Sequence, residues 1–146
     1  MGKSTIKNKR IIFNYKNIEE AYKKIKSLIN KTPLVTNDFI NNIVDSEVYF
    51  KLENLQTTGS FKLRGATHKI ETLSRNSIKN GVVAYSSGNH AQAVAYAALQ
   101  RNINAKIIMP KNAPKIKIEN TREYGAFVIL YDSFFENREK IGSQIQ

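Results

Sequence analysis

The second half of the chain alternates short apolar runs with helix-like stretches, and this alternation limits the fold more than any other feature. The apolar runs are GVVAY, AKIIM and AFVILY, at residues 81–85, 105–109 and 126–131. Strands that alternate with helices form a parallel sheet, and the helices cover its faces. The pattern therefore predicts an α/β fold with a parallel sheet and flanking helices.

Three helices are predicted between and after these strands. The first is the alanine-rich stretch HAQAVAYAALQ, at residues 90–100. The second covers about residues 114–124, with proline in its first turn and glycine just beyond its end. The third begins at SFFE, residues 133–136, where serine and glutamate have the spacing of a capping box. It continues to the last residue, so the alternation stops in mid-pattern.

The first half of the chain has a different pattern. Residues 17–31 carry apolar side chains at helical spacing, and Asn17 and Glu20 have the spacing of a capping box. We therefore expect a helix that ends before Pro33. The stretch EVYFKLE, at residues 47–53, alternates apolar and polar side chains, which predicts a strand.

Composition and charge narrow the classes of function. Hydrophobic residues make up 41% of the chain, and no apolar run reaches the roughly 18 residues that cross a membrane. With no signal-peptide core, we expect a cytoplasmic protein without membrane partners. The net charge of +11 comes from lysines scattered along the chain, so nucleic acid is an alternative partner that we do not expect. Without cysteine and with only two histidines, no metal site is predicted.

A lysine occupies the first turn of a helix predicted from Phe61, in the sequence GSFKLRGA at residues 59–66. With Ser60 as N-cap, Lys62 falls at the border of the helix's apolar stripe. That stripe consists of Leu63, Ala66, Ile70 and Leu73. Partial burial and the positive end of the helix dipole both favour an uncharged amine, the form that bonds to carbonyl carbons. The alternative is an ordinary surface lysine whose charge reaches water.

A second candidate site is the turn SSGNH, at residues 86–90, before the alanine-rich helix. Turns at the carboxyl ends of parallel strands are where ligands bind, and the first turn of a following helix attracts anions. Gly88 lets the backbone approach a ligand closely. The alternative is an ordinary turn in which Asn89 and Gln92 form a capping box.

Taken together, three stretches resemble a known family. They are KLENLQTTGSFKLRGA, SSGNHAQAVAYAA and MPKNAPKIKIENTREYGAFVIL. In this order they are similar to the N-terminal part of the serine/threonine dehydratases, which are fold-type-II pyridoxal-phosphate enzymes and include serine racemase. The resemblance covers residues 18–138. Leu63 separates the chain from cysteine and threonine synthases, which typically have aspartate directly after the lysine.

The resemblance implies roles for individual residues. Lys62 would be the Schiff-base lysine of pyridoxal 5′-phosphate and the base that takes the α-proton, and Phe61 would pack beside the cofactor ring. Asn89 would hydrogen-bond the 3′-oxygen of that ring. Ser87 matches a serine that acts as a second base in serine racemase, and Arg138 matches an arginine that reaches the substrate carboxylate. The substrate loop would consist of Ser86, Ser87, Gly88, Asn89 and His90.

The resemblance also implies the reaction. It is the dehydration and deamination of threonine or serine, which gives a 2-oxo acid and ammonia. The alternatives are a serine racemase-like activity and a non-catalytic remnant that binds an amino acid or another anion. The partner is a small amino-acid substrate, and the parent enzyme is expected to be a homo-oligomer.

The resemblance further implies an incomplete domain organisation. Residues 1–78 would form the N-terminal segment of a large domain, and residues 79–146 a small α/β domain. No two glycines of the chain are adjacent, so the glycine-rich phosphate loop of the family is missing. We therefore expect a truncated chain that lacks the second half of the large domain and has little or no activity alone.

Overall fold

The computed structural model describes residues 14–145. In the first half of the chain it contains four α-helices, two short strands and one 3₁₀-helix. The elements are α1 (Tyr15–Ile25), β1 (Leu34–Thr36), α2 (Asp38–Val44), β2 (Tyr49–Lys51), the 3₁₀-helix (Glu53–Leu55), α3 (Lys62–Glu71) and α4 (Arg75–Lys79).

Helix α1 differs from its prediction at both ends. The side chains of Asn14 and Asn17 each accept a hydrogen bond from the other's backbone N–H, at 3.2 and 3.0 Å. The capping box therefore joins Asn14 and Asn17, whereas Asn17 and Glu20 were expected. The helix ends at Ile25 instead of residue 31 because a turn there lets Ile29 pack into the core.

The predicted strand at residues 47–53 is shortened to β2. It pairs antiparallel with β1, and Val35 lies opposite Phe50. The pattern does not predict β1, because its three residues are all exposed and leave no alternation to recognise. Helices α2 and α4 are also unpredicted, and neither contains a buried residue.

The second half of the chain alternates strands and helices as predicted. Its elements are β3 (Val82–Tyr85), α5 (Asn89–Leu99), β4 (Ala105–Pro110), α6 (Lys115–Glu123), β5 (Phe127–Tyr131) and α7 (Arg138–Ile145). The three strands form one parallel sheet in the order β3-β4-β5. The α/β fold with a parallel sheet and flanking helices is thus confirmed. No helix within residues 14–145 is long and apolar enough to cross a membrane.

The middle strand β4 forms the centre of the core, because helices cover both faces of the sheet. The side chains of Ile107, Ile108 and Met109 are fully buried. Successive side chains of a strand point to opposite faces. Ile107 and Met109 join the cluster that includes the alanines of α5, whereas a Cβ at Gly142 of α7 would lie 3.6 Å from Ile108 Cδ1. Helix α3 packs on α5 and extends the core.

The last helix begins later than predicted, at Arg138. The expected capping box within residues 133–136 does not form, because the backbone N–H of Asp132 donates a hydrogen bond to the carboxylate of Glu136 at 2.6 Å. The side chain of Asn137 instead accepts hydrogen bonds from two backbone N–H groups in the first turn of α7.

Candidate active site

The glycine-serine turn before α3 places Lys62 at the first position of that helix. Gly59 has φ of +69°, a conformation that glycine adopts without strain. Phe61 already has helical dihedral angles, and the buried hydroxyl of Ser60 makes no capping hydrogen bond. The prediction of Ser60 as N-cap is therefore wrong, and α3 begins one residue later than expected.

Lys62 is exposed, whereas the sequence pattern placed it at the border of the core. Leu63 takes the fully buried position in this turn, and Lys62 is consequently directed outwards. The amine of Lys62 lies 5.0 Å from the centroid of the Phe61 ring, and Phe61 is itself 59% exposed. A small molecule can therefore reach both residues predicted to contact the cofactor.

An ion pair fixes the orientation of α3. Arg64 donates two hydrogen bonds to the carboxylate of Glu53, at 2.7 and 2.9 Å, and a third to the Thr32 hydroxyl at 3.3 Å. The hydrogen bonds from Arg64 lower the pKa of Glu53, against the opposing effect of burial. Those same hydrogen bonds raise the pKa of Arg64. Since Arg64 follows Lys62 by two residues, the pair holds the first turn of α3 in place.

The loop at residues 86–90 lies at the carboxyl end of β3, as predicted for a ligand-binding turn. The Gly88 N–H donates to the Ser86 hydroxyl at 3.3 Å, and Gly88 is the N-cap of α5. No side chain of residues 14–145 caps this helix, so the capping box of Asn89 and Gln92, which was the alternative interpretation of this turn, does not form. Because no side chain in the described part of the chain accepts a hydrogen bond from the first-turn N–H groups of α5, this helix end can bind an anion.

The packing of α3 on α5 brings the two candidate motifs together. Partial burial lowers the pKa of His90, and the positive charge of Lys62 lowers it further. A Coulombic effect of this kind requires the two side chains to lie near each other. The lysine at the start of α3 and the loop before α5 therefore share one surface.

Two further cations lie beside the loop. Lys117 of α6 donates a hydrogen bond to Asn89 Oδ1 at 2.7 Å. The guanidinium carbon of Arg138 lies 5.2 Å from the ring centroid of Tyr85, the residue before the loop. Lys117 is within a stretch that carries the family resemblance, yet no spacing in the sequence links it to Asn89. Only the packing of α6 on α5 reveals the contact.

A cavity within the described residues lies elsewhere, between α1 and α3. It has a volume of about 640 Å³ and a mostly apolar lining that includes Ile18, Tyr22 and His68. Neither Lys62 nor the loop at residues 86–90 contributes to it. The candidate site, at the starts of α3 and α5, is therefore separate from this cavity.

The chain is similar in sequence and in structure to known proteins. The family described as pyridoxal-phosphate dependent enzyme matches residues 25–146. The chain is 43% identical to L-threo-3-hydroxyaspartate ammonia-lyase of Saccharomyces cerevisiae over 92% of its own length. It is 46% identical to L-threonine ammonia-lyase of Thermotoga maritima over 88% of its length. The solved structure of maize serine racemase matches 90% of the chain, with a TM-score of 0.85 and 40% identity.

The chain spans only part of each of these relatives. It covers 41% of the yeast ammonia-lyase, 32% of the Thermotoga maritima enzyme and 40% of maize serine racemase. The family match nevertheless includes both candidate motifs and the whole parallel sheet. The chain therefore belongs to the family of pyridoxal-phosphate dependent enzymes.

Proposed function

We propose that the chain provides part of the active site of a pyridoxal-phosphate dependent ammonia-lyase for threonine or serine. The substrate loses water, and later hydrolysis yields a 2-oxo acid and ammonia. The observation that carries this proposal is the packing of α3 on α5, which brings Lys62 near His90. The names of the relatives support a β-hydroxy amino acid as the substrate class, because hydroxyaspartate, threonine and serine all belong to it.

The residues present fit pyridoxal phosphate, which carries an aldehyde, a ring oxygen and a phosphate. The exposed amine of Lys62 suits the aldehyde, and the amide of Asn89 suits the ring oxygen. A Cβ at Gly88 would meet no atom within 4 Å, so a ligand can approach this backbone. Within the described residues the buried hydroxyls of Thr58 and Ser60 lack hydrogen-bond partners. A polar ligand bound beside them would reduce the cost of leaving them unpaired.

Each of these residues would have a distinct task. Pyridoxal phosphate, when bound, supplies an electron-withdrawing ring that makes the α-proton of an amino acid acidic. Lys62 would hold the cofactor through its amine, release it when the substrate amine takes that place, and then accept the α-proton. Asn89 would orient the ring by donating a hydrogen bond to its oxygen. The first turn of α5 and Ser86, Ser87, Gly88 and His90 would hold the substrate carboxylate.

The domain organisation follows from the same proposal. We assign residues 1–78 to the N-terminal segment of a large domain and residues 79–146 to a small α/β domain. Lys62 would then be carried by one domain and the substrate loop by the other. The remainder of the large domain would correspond to the part of the relatives that this chain does not span.

Borohydride reduction tests the proposal without requiring turnover. The purified chain is mixed with pyridoxal phosphate, reduced and digested, and the modified lysine is found by mass spectrometry. We expect the label at Lys62, its loss in Lys62→Ala, and its retention in Lys69→Ala, which removes another exposed lysine of α3. Label spread over many exposed lysines would contradict the proposal. Amino-acid binding that survives Lys62→Ala without any label would favour a non-catalytic binding protein.

Ser87 supports racemisation of serine as a second candidate function. It is exposed in the loop, and racemisation needs a proton donor on the face opposite the lysine. In protein that contains this chain and is active, Ser87→Ala should abolish exchange of L- and D-serine but retain ammonia release. Exchange that continues unchanged in Ser87→Ala would contradict this second candidate function.

A further inference from the structure

The hydrogen bond between Lys117 and Asn89 determines which end of the Asn89 amide is available to a ligand. Lys117 Nζ lies 2.7 Å from Asn89 Oδ1, and the two residues are 28 positions apart in the chain. An ammonium group can only donate hydrogen bonds, so the amide must turn its oxygen towards Lys117. The nitrogen of the Asn89 amide makes no hydrogen bond within residues 14–145. Both N–H donors of the Asn89 amide therefore remain available to a ligand, whereas its oxygen is engaged by Lys117.

A second hydrogen bond keeps Lys117 in this position. Asn120 Nδ2 donates to Gln92 Oε1 at 3.0 Å, between the same two helices. Asn120 follows Lys117 by three residues and Gln92 follows Asn89 by three, so both contacts lie along one seam of α5 and α6. Gln92 is 2% exposed, and its side chain cannot move without disturbing the core. The seam therefore fixes the register in which Lys117 meets Asn89.

The charge of Lys117 is not neutralised within the described part of the chain. It forms no ion pair there, although it is half-buried. Lys115, on the same helix, is exposed and lies 3.7 Å from the carboxylate of Glu119. Lys117 instead contacts a neutral amide and leaves a positive charge beside the candidate site.

We infer that Lys117 is a positioning residue that makes Asn89 a hydrogen-bond donor and favours an anionic ligand oxygen beside it. This inference rests on the proposed function, which assigns Asn89 to the ring oxygen of pyridoxal phosphate. The lysine acts through Asn89 and by its charge, and it does not itself take part in proton transfer. The site therefore selects a ligand whose oxygen accepts a hydrogen bond and bears negative charge.

A double-mutant cycle on the full chain tests this inference. The affinity for pyridoxal phosphate is measured by absorbance titration for wild type, Lys117→Met, Asn89→Ala and the double variant. Loss of a hydrogen bond to a charged group predicts that Lys117→Met binds about tenfold more weakly. In the Asn89→Ala background the same substitution should cost much less, because the amide that Lys117 orients is gone. Equal losses in both backgrounds, or no loss, would overturn the inference.

Three further variants separate positioning from a general structural role. Lys117→Arg keeps a cationic donor and should restore most of the affinity, whereas Lys115→Met removes a charge from the same helix and should leave affinity unchanged. Asn89→Asp keeps the acceptor for Lys117 but loses the donor, so it should fold normally and bind the cofactor weakly. The absorption maximum of the bound cofactor should shift in Lys117→Met and not in Lys115→Met. A normal affinity for Asn89→Asp would overturn the assignment.

A measurement without cofactor distinguishes failure of this inference from failure of the proposed function. The side-chain amide resonances of Asn89 in ¹H–¹⁵N spectra should shift in Lys117→Met and remain in place in Lys115→Met. Unshifted resonances would overturn the inference whatever the cofactor does. If the resonances shift and the wild-type chain does not bind pyridoxal phosphate, the contact stands and the proposed function fails, together with the role that rests on it.

Discussion

Arg64 and Glu53 form a two-pronged ion pair that ties the helix of Lys62 to the segment after β2. The guanidinium of Arg64 lies 2.7 and 2.9 Å from the two carboxylate oxygens of Glu53. The side chains are 27% and 16% exposed, so much of the pair is shielded from water. Paired hydrogen bonds of this geometry are stronger and more directional than a single ionic contact.

Replacing Glu53 should therefore destabilise the fold. We expect Glu53→Gln to lower the free energy of unfolding by about 1 to 2 kcal/mol, because Arg64 would keep its charge but lose the carboxylate. Urea denaturation followed by circular dichroism measures this change. The control is Glu119→Gln in the exposed pair with Lys115, where the change should stay within about 0.5 kcal/mol. Equal effects of the two substitutions would show that the shielded pair contributes no more to the free energy of unfolding than the exposed pair.

The same carboxylate should make stability depend on acidic pH. The pKa of Glu53 is lowered in the folded chain, whereas the unfolded chain has the ordinary value of 4.5. A carboxyl group with a depressed folded pKa contributes stability above its unfolded pKa, and this contribution is lost as pH falls through the folded pKa. The stability difference between wild type and Glu53→Gln should therefore shrink as pH falls below about 4.5. A difference that stays constant from neutral to strongly acidic pH would contradict this prediction.

The titration of His90 should report the presence of Lys62. Partial burial and then the charge of Lys62 lower the pKa of His90. Lys62→Met removes only the second cause, so the pKa of His90 should rise and remain below 6.5. Histidine ring signals followed by NMR across neutral pH measure this shift. Lys69→Met, on the same helix, is the matched control, and an equal response to both would mean that Lys62 does not lie near the loop.

Two glycines should respond to alanine in opposite ways. Gly81 has φ of +79°, and a Cβ there would lie 2.6 Å from the carbonyl oxygen of Asn104. Gly81→Ala should therefore cost at least about 2 kcal/mol of folding free energy. Gly65 lies inside α3, where a Cβ would meet nothing within 4 Å, and Gly65→Ala should stabilise the chain by about 0.5 to 1 kcal/mol. Thermal unfolding of the two variants measures both changes in stability. Destabilisation by Gly65→Ala would contradict the finding that a Cβ at this position meets no neighbouring atom.

Much of the fold is predictable because burial leaves a pattern in the chain. The strands β3, β4 and β5 are short apolar runs, as expected for strands that helices cover on both faces. The short exposed elements β1, α2 and α4 leave no such pattern. The starts of α1, α3 and α7 are misplaced by one to several residues. Several side chains near each start can serve as a cap, and local geometry chooses among them.

The candidate site, like the fold, is predictable from the sequence only in part. Lys62 and the loop at residues 86–90 are recognisable as motifs, and their roles in chemistry remain predictions. The exposure of Lys62 is not predictable from helical spacing, because adjacent positions of a first turn differ in burial according to what packs on them. Here Leu63 is fully buried, whereas its neighbour Lys62 is exposed.

Residue type and local spacing are sufficient to predict the α/β fold class, the parallel sheet and the two motifs that resemble the family. The contacts between distant side chains depend instead on how the helices pack. Arg64 pairs with Glu53 across 11 positions, and Lys117 reaches Asn89 across 28. The influence of Lys62 on His90 also depends on the packing of α3 against α5. Such contacts are set by the distance and register between packed helices. Neither quantity can be predicted from the spacing of residues along the chain.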